Sequence, residues 1–154
     1  MLTEEEKEAI RKAAGRFPKK AAASVEALTI VQNGRGWVPD EEIEEIAELL
    51  GMSGTQLDGV ATFYSAIFRK PVGRHVVMVC DGISCWVMGH EEILEHLKSV
   101  LGIQFGETTP DNRFTLLPVT CIGLCEQAPA MIIDGVSYGN LSKEKIDEIL
   151  KKYE

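Results

Sequence analysis

Four cysteines, Cys80, Cys85, Cys121 and Cys125, carry the densest chemistry in this 154-residue chain. They form two tight pairs, with four residues inside the first, three inside the second and 35 between them. Chance scatter rarely gives that pattern. In a reducing compartment, paired thiols point to metal or redox chemistry more than to disulfides. Structural zinc uses C-x2-4-C spacings and a tetrahedron of thiolates around one ion. A [2Fe–2S] cluster also takes four cysteines, but two on each iron, so two offset pairs suit it. A dithiol or disulfide is a third reading, although neither pair has the usual C-x2-C spacing of dithiol oxidoreductases. Four core cysteines without chemistry are a fourth. Gly82, Gly89 and Gly123 lie around the pairs, and glycine lets backbone N–H groups approach cluster sulfurs.

The elements that must position these thiols are α/β in pattern. His75–Val79 is a continuous apolar run that suits a strand buried on both faces, ending at Cys80. Glu91–Leu101 places Ile93, Leu94, Leu97, Val100 and Leu101 on one helical face. Arg113–Val119 and Ala130–Ile133 read as further strands, and Asp134-Gly135 as a turn into a short hairpin partner at Val136–Tyr138. Ser142 opens a last helix with Ile146, Ile149, Leu150 and Tyr153 at core spacing. Each cysteine pair then falls in a loop just after a strand, and neighbouring strands bring two such loops to one edge of the sheet.

The first half is helical instead. A charged helix runs from Thr3 or Glu4 to about Gly15, and Pro18 suits the start of a second, with Ala21, Val25 and Leu28 on one face. Asn33-Gly34-Arg35-Gly36 is a break. Asp40 reads as an N-cap before Ile43, Ile46, Ala47 and Leu50, and Gly51 ends that helix. Ser53 caps a short fourth helix to about Phe63. Pro71-Val72-Gly73 marks a boundary, so residues 1–72 are expected to form a small bundle and 73–154 a minimal thioredoxin-like sandwich.

Hydrophobic residues at 45% and charged residues at 26% suit a globular chain. The net charge is −8, with 10 basic and 12 acidic side chains in residues 1–74 against 6 and 12 in 75–154. Such a surface repels phosphate backbones, so no nucleic-acid partner is expected. No apolar run is long enough for membrane insertion, and the acidic N-terminus is unlike a basic leader, so a cytoplasmic chain is expected. With two ferric ions, two sulfides and four thiolates, a cluster would be dianionic. Asp81 and Glu126 beside it would oppose reduction, giving a low potential on the order of −400 mV or somewhat above.

Cys80-Asp-Gly-Ile-Ser-Cys85 and Cys121-Ile-Gly-Leu-Cys125 resemble the cluster loops of the thioredoxin-like [2Fe–2S] subunits of respiratory complex I, NADH:quinone oxidoreductase. So do Gly36-Trp37-Val38-Pro39, Gly59-Val60-Ala61-Thr62-Phe63-Tyr64, Gly73-Arg74-His75 and Arg113-Phe114-Thr115-Leu116. The resemblance runs from about Ala21 to the C-terminus. It implies a thioredoxin-like [2Fe–2S] domain preceded by a small helical bundle. It implies one cluster per chain on Cys80, Cys85, Cys121 and Cys125, exchanging one electron with the FMN of a partner flavoprotein subunit. That partner binds the FMN and NADH; this chain does not. Other peripheral-arm subunits would be neighbours, placing the chain on the cytoplasmic face of the bacterial inner membrane through the complex. Related subunits serve as diaphorase components of NAD-linked hydrogenases and formate dehydrogenases. A zinc-stabilised interaction module is the alternative of another class.

No G-x-G-x-x-G follows a strand, and Gly34-Arg35-Gly36 sits in a helix break, so NADH oxidation by this chain alone is not expected. The apolar stretch Ala61–Phe68 reads as packing at the domain junction or as a partner-facing patch. Trp86 reads either as a shield beside the cluster or as a core residue. His75, His90 and His96 lack ligand spacing and read as surface or satisfied core residues. Thioredoxin-like folds often carry a cis proline before a strand near the site, so either isomer is open at Ala128–Pro129.

Overall fold

A computed structural model of the chain describes residues 1–153. The chain divides into two compact units, Met1–Pro71 and a second beginning at Val72.

The first unit is helical. Thr3 caps α1 (Glu4–Ala14) through a reciprocal capping box with Glu6, and the helix buries only Ile10, Ala13 and Ala14. A 3-10 turn, Lys20–Ala23, then precedes α2 (Ser24–Arg35). The second helix therefore starts six residues beyond Pro18, and its inward face is Ala27, Leu28 and Val31. Ala21 and Val25, expected on that face, are exposed. Pro39, not Asp40, occupies the N-cap of α3 (Asp40–Leu50), leaving Asp40, Glu41 and Glu42 in the first turn, where the helix dipole favours acids. Ser53 and Gln56 form a capping box on α4 (Gly54–Phe63). Ile10, Leu28, Val31, Ile46 and Leu57 are fully enclosed in one core.

The second unit is a four-stranded sheet, order β2-β1-β3-β4, from β1 (His75–Cys80), β2 (Phe114–Val119), β3 (Met131–Ile133) and β4 (Val136–Tyr138). β1 and β2 run parallel, while β3 is antiparallel to both β1 and β4. Pro118 is tolerated because β2 lies at the edge of the sheet. Helix α5 (Ile83–Val87) and α6 (His90–Leu101) follow β1, and α7 (Lys143–Leu150), capped by Ser142, follows β4. Val77, Val79, Leu97, Phe114, Leu116, Met131, Ile133 and Ile146 fill the core. Val100, expected on the inner face of α6, is 49% exposed. The Ala128–Pro129 bond is cis.

Candidate metal centre

Parallel pairing of β1 with β2 is what brings the cysteines together. The register sets Cys80 opposite Val119, so both strands end level. Cys80 is the last residue of β1, and Cys121 comes two residues after β2 at the same end. Cys85 sits inside α5, and Cys125 opens a 3-10 turn, Cys125–Gln127. Gly82 is where the two loops touch. A side chain there would meet Thr120 O at 2.9 Å, with Cys80 Sγ at 3.5 Å and Cys121 Cβ at 3.7 Å.

The surroundings of the two pairs differ. Cys80 and Cys85 are 3% and 2% exposed and pack with Ala128 and Ala130, flanked by Val119, Ile122 and Leu124. Cys121 and Cys125 face solvent. Gly123, at φ 74°, takes a backbone conformation that suits glycine and brings its N–H to 3.4 Å from Cys121 Sγ. All four cysteines are free thiols. Burial pushes the Cys85 thiol up to about 11, helped by its hydrogen bond with Cys80 and by like charge at Cys80 and Cys125. A hydrogen bond with the Ala130 backbone opposes that shift. A bare Cys85 therefore stays protonated at neutral pH, and ligation must displace its proton.

Among the described residues, no three histidine, cysteine or acidic side chains gather around a single point. Cys85 shares a hydrogen bond with Cys80 and feels the charge of Cys125, and Cys80 and Cys121 both lie against Gly82. Paired thiols, an apolar nest and a donor N–H fit the ligand requirement of a [2Fe–2S] cluster, two sulfurs to each iron.

His90 is buried, with Nδ1 2.9 Å from Cys80 O. The other histidines pair with acids: His75 with Asp134 at 2.6 Å and His96 with Asp147 at 2.8 Å. Trp86 is 57% exposed, so it is not a core residue. Phe63 and Tyr64, from the apolar Ala61–Phe68 stretch, are exposed and meet edge to face. Sequence reasoning missed α5, whose five residues are too few to show a helical period, whereas His90 is the satisfied core histidine that was one of its two readings. The one available signal for α5 was Gly82 before Ile83 and Gly89 after Met88, which bracket a single helical turn.

The fold and the paired thiols define a class of one-electron carriers, and the chain belongs to the thioredoxin-like [2Fe–2S] ferredoxin family, which it matches over residues 10–154. The family binds a [2Fe–2S] cluster. Among individual proteins, the chain is 46% identical over 153 residues to the E subunit of the NADH-quinone oxidoreductase of Pseudomonas aeruginosa, spanning 99% of this chain and 92% of that one. It is 47% identical over 152 residues to the corresponding Escherichia coli protein, with 99% and 92% covered. Among solved structures, an NAD+-reducing [NiFe]-hydrogenase in the air-oxidized state matches with a TM-score of 0.70 and 25% identity. That match covers 85% of this chain and 22% of the hydrogenase chain. No helix among the described residues is long and apolar enough to cross a membrane.

Proposed function

We propose that the chain works as the [2Fe–2S] electron-transfer subunit of an NADH:quinone oxidoreductase, with Cys80, Cys85, Cys121 and Cys125 as the ligands of one cluster. The observation that carries this reading is the level ending of β1 and β2, which sets the two cysteine loops in contact at Gly82. When bound, the cluster supplies one-electron storage and exchange with the FMN of a partner flavoprotein subunit, which also holds NADH. The chain's own part is to hold that group. Cys80 and Cys85 anchor it in the apolar nest, and Cys121 and Cys125 close it from the solvent side. Gly123 N–H donates toward Cys121 Sγ, and such donors ease the accumulation of negative charge.

Residues 1–72 form a helical module in this reading, and 73–154 the domain that bears the thiolates. The chain reaches the cytoplasmic face of the inner membrane only through its partner subunits. Identity of 46% and 47% to chains of quinone-linked oxidoreductases, against 25% to the hydrogenase, favours the quinone-linked host.

The test is direct. Purified protein should be reddish-brown, with two irons and two acid-labile sulfides per chain and a rhombic paramagnetic signal after dithionite. Stoichiometric zinc without labile sulfide would overturn the reading in favour of a zinc-stabilised module.

A further inference from the structure

Cys80 is held by more than its strand. Its N–H donates to Ala130 O at 3.1 Å, and the next N–H, that of Asp81, donates to Val119 O at 2.9 Å. The carbonyl between them accepts from His90 Nδ1 at 2.9 Å. Nδ1 carries the proton there, because a carbonyl can only accept. Among the described residues, His90 is the one side chain bonded to the backbone of any of the four cysteines.

The local chain aims it there. His90 is the first residue of α6 and is 6% exposed, whereas Glu91 and Glu92 beside it are exposed. Gly89 before it sits at φ 102°, which glycine tolerates and other residues rarely adopt. That turn separates α5 from α6 and directs the imidazole back to the end of β1. The bond closes a ring over residues 80–90, and Cys85 lies inside it. A closed ring leaves Cys80 and Cys85 fewer arrangements before a cluster arrives. Around the second pair the corresponding bonds, Gln127 N–H to Leu124 O and Ala128 N–H to Cys125 O, stay within one 3-10 turn.

The same bond has an electrostatic effect. No Lys or Arg occurs between residues 75 and 97 or between 114 and 142, the two segments that carry all four cysteines. Asp81 and Glu126, next to ligand positions, are exposed acids. Within these segments, N–H groups are left to balance the charge that reduction adds. Gly123 N–H does so beside Cys121 on the open side. His90 Nδ1–H does so behind Cys80 on the enclosed side, where a low dielectric strengthens it.

We propose that His90 is the positioning residue of the buried half of the site: it closes the Cys80–Cys85 loop and offsets the Cys80 carbonyl dipole, which makes the cluster easier to reduce. This rests on the functional reading above. His90 acts through Cys80 and is not itself a ligand.

The experiment compares the full-length chain, loaded with its cluster, as wild type, His90→Phe and His90→Asn. Phenylalanine keeps a buried ring and removes the donor. Asparagine keeps an N–H at similar reach and gives up the ring. At fixed pH the reduction equilibrium constant of His90→Phe should fall about three- to tenfold, which is about 30–60 mV for one electron. Its rhombic g-values should move as well, and His90→Asn should return both towards wild type. A role in packing alone gives the opposite order, with His90→Phe nearer to wild type than His90→Asn. That order overturns the proposal, as do equal potentials and g-values in all three chains, and both leave the functional reading intact. A wild-type chain without iron and labile sulfide overturns the functional reading, and the proposal falls with it. Should His90→Phe fail to fold or load, His90→Ala takes its place, and the imidazole nitrogen resonances of the wild-type chain are read besides. A His90 that carries its proton on Nε2 alone, and so cannot donate to Cys80, overturns the proposal.

Discussion

His90 Nδ1 lies 2.9 Å from the carbonyl oxygen of Cys80, so a buried imidazole at the start of α6 ties down the end of β1. In that contact Nδ1 carries the proton and the carbonyl accepts it. Replacing His90 by Ala leaves the carbonyl of Cys80 without this donor and removes a buried ring at the start of α6. The expected cost is about 1–3 kcal/mol in denaturant unfolding of the apoprotein. A His90→Asn variant keeps a donor and should recover part of it. If Ala and Asn variants unfold alike, the imidazole only fills space.

Arg35 lies between two carboxylates of the helical unit. Its guanidinium is 2.8 Å from Glu6 and pairs also with Glu42, which the Met1 ammonium approaches at 2.8 Å. The Arg35 hydrogen bond lowers the Glu6 carboxyl below the ordinary glutamate range. Burial raises that of Glu42, but the ammonium hydrogen bond and the charge of Arg35 outweigh burial and leave it lowered. A carboxyl with a lowered folded pKa contributes stability above its unfolded value, ~4.3 for Glu, and that stability is lost as pH falls further. The helical unit should thus weaken below about pH 4.3. Arg35→Leu should cost about 2–3 kcal/mol at neutral pH, because it leaves Glu42, 3% exposed, with one counter-charge. Circular dichroism against pH checks both. An unchanged acid midpoint in Glu42→Gln would remove that residue from the account.

Tyr138 and Tyr153 share a hydrogen bond of 2.8 Å between hydroxyls. Burial pushes Tyr153 up to about 12, with the Tyr138 bond and the nearby charges of Tyr138 and Asp134 adding to it. A raised acid stays protonated in the folded chain, while the unfolded tyrosine ionises near ~10. Stability from this pair should therefore fall as pH rises from about 10 towards the folded value. Phenolate absorbance should show one late-titrating tyrosine, and Tyr138→Phe should bring it earlier. A normal titration of all three tyrosines would contradict the pairing.

The strands were legible because short apolar runs bounded by turns sit where sequence put them: His75–Cys80, Phe114–Val119 and the Asp134-Gly135 hairpin. So were α1 and α4, whose Thr3 and Ser53 caps carry their own signature. Pro18 misled because proline tolerates a helix start without requiring one, and the chain spends Lys20–Ala23 in a 3-10 turn first. Val100 misled because the 3.6-residue period places it at the margin of the stripe, where only the depth of the neighbouring sheet decides exposure. The pairing of cysteines was readable from spacing. Their division into a buried and an exposed pair was not, since it depends on Ala128 and Ala130 coming back beneath α5.

That division makes the four ligand positions unequal in a testable way. Cys80 and Cys85 pack among apolar side chains, where a serine hydroxyl is costly unless it finds a partner. Cys121 and Cys125 face solvent, where the same exchange alters the apo fold by no more than about 0.5 kcal/mol. Cys80→Ser and Cys85→Ser should therefore lower the stability of the apoprotein, roughly 1–3 kcal/mol each, as well as disturb the loaded site. Cys121→Ser and Cys125→Ser should disturb only the loaded site, seen as lost labile sulfide or a shifted paramagnetic signal. Chemical unfolding of the four apo variants and resonance of the four reconstituted ones separate the effects. An unaltered rhombic signal in Cys121→Ser would remove that residue from the ligand set. Equal destabilisation of all four apo variants would mean that the second pair is as enclosed as the first, and that the solvent side of the site lies elsewhere.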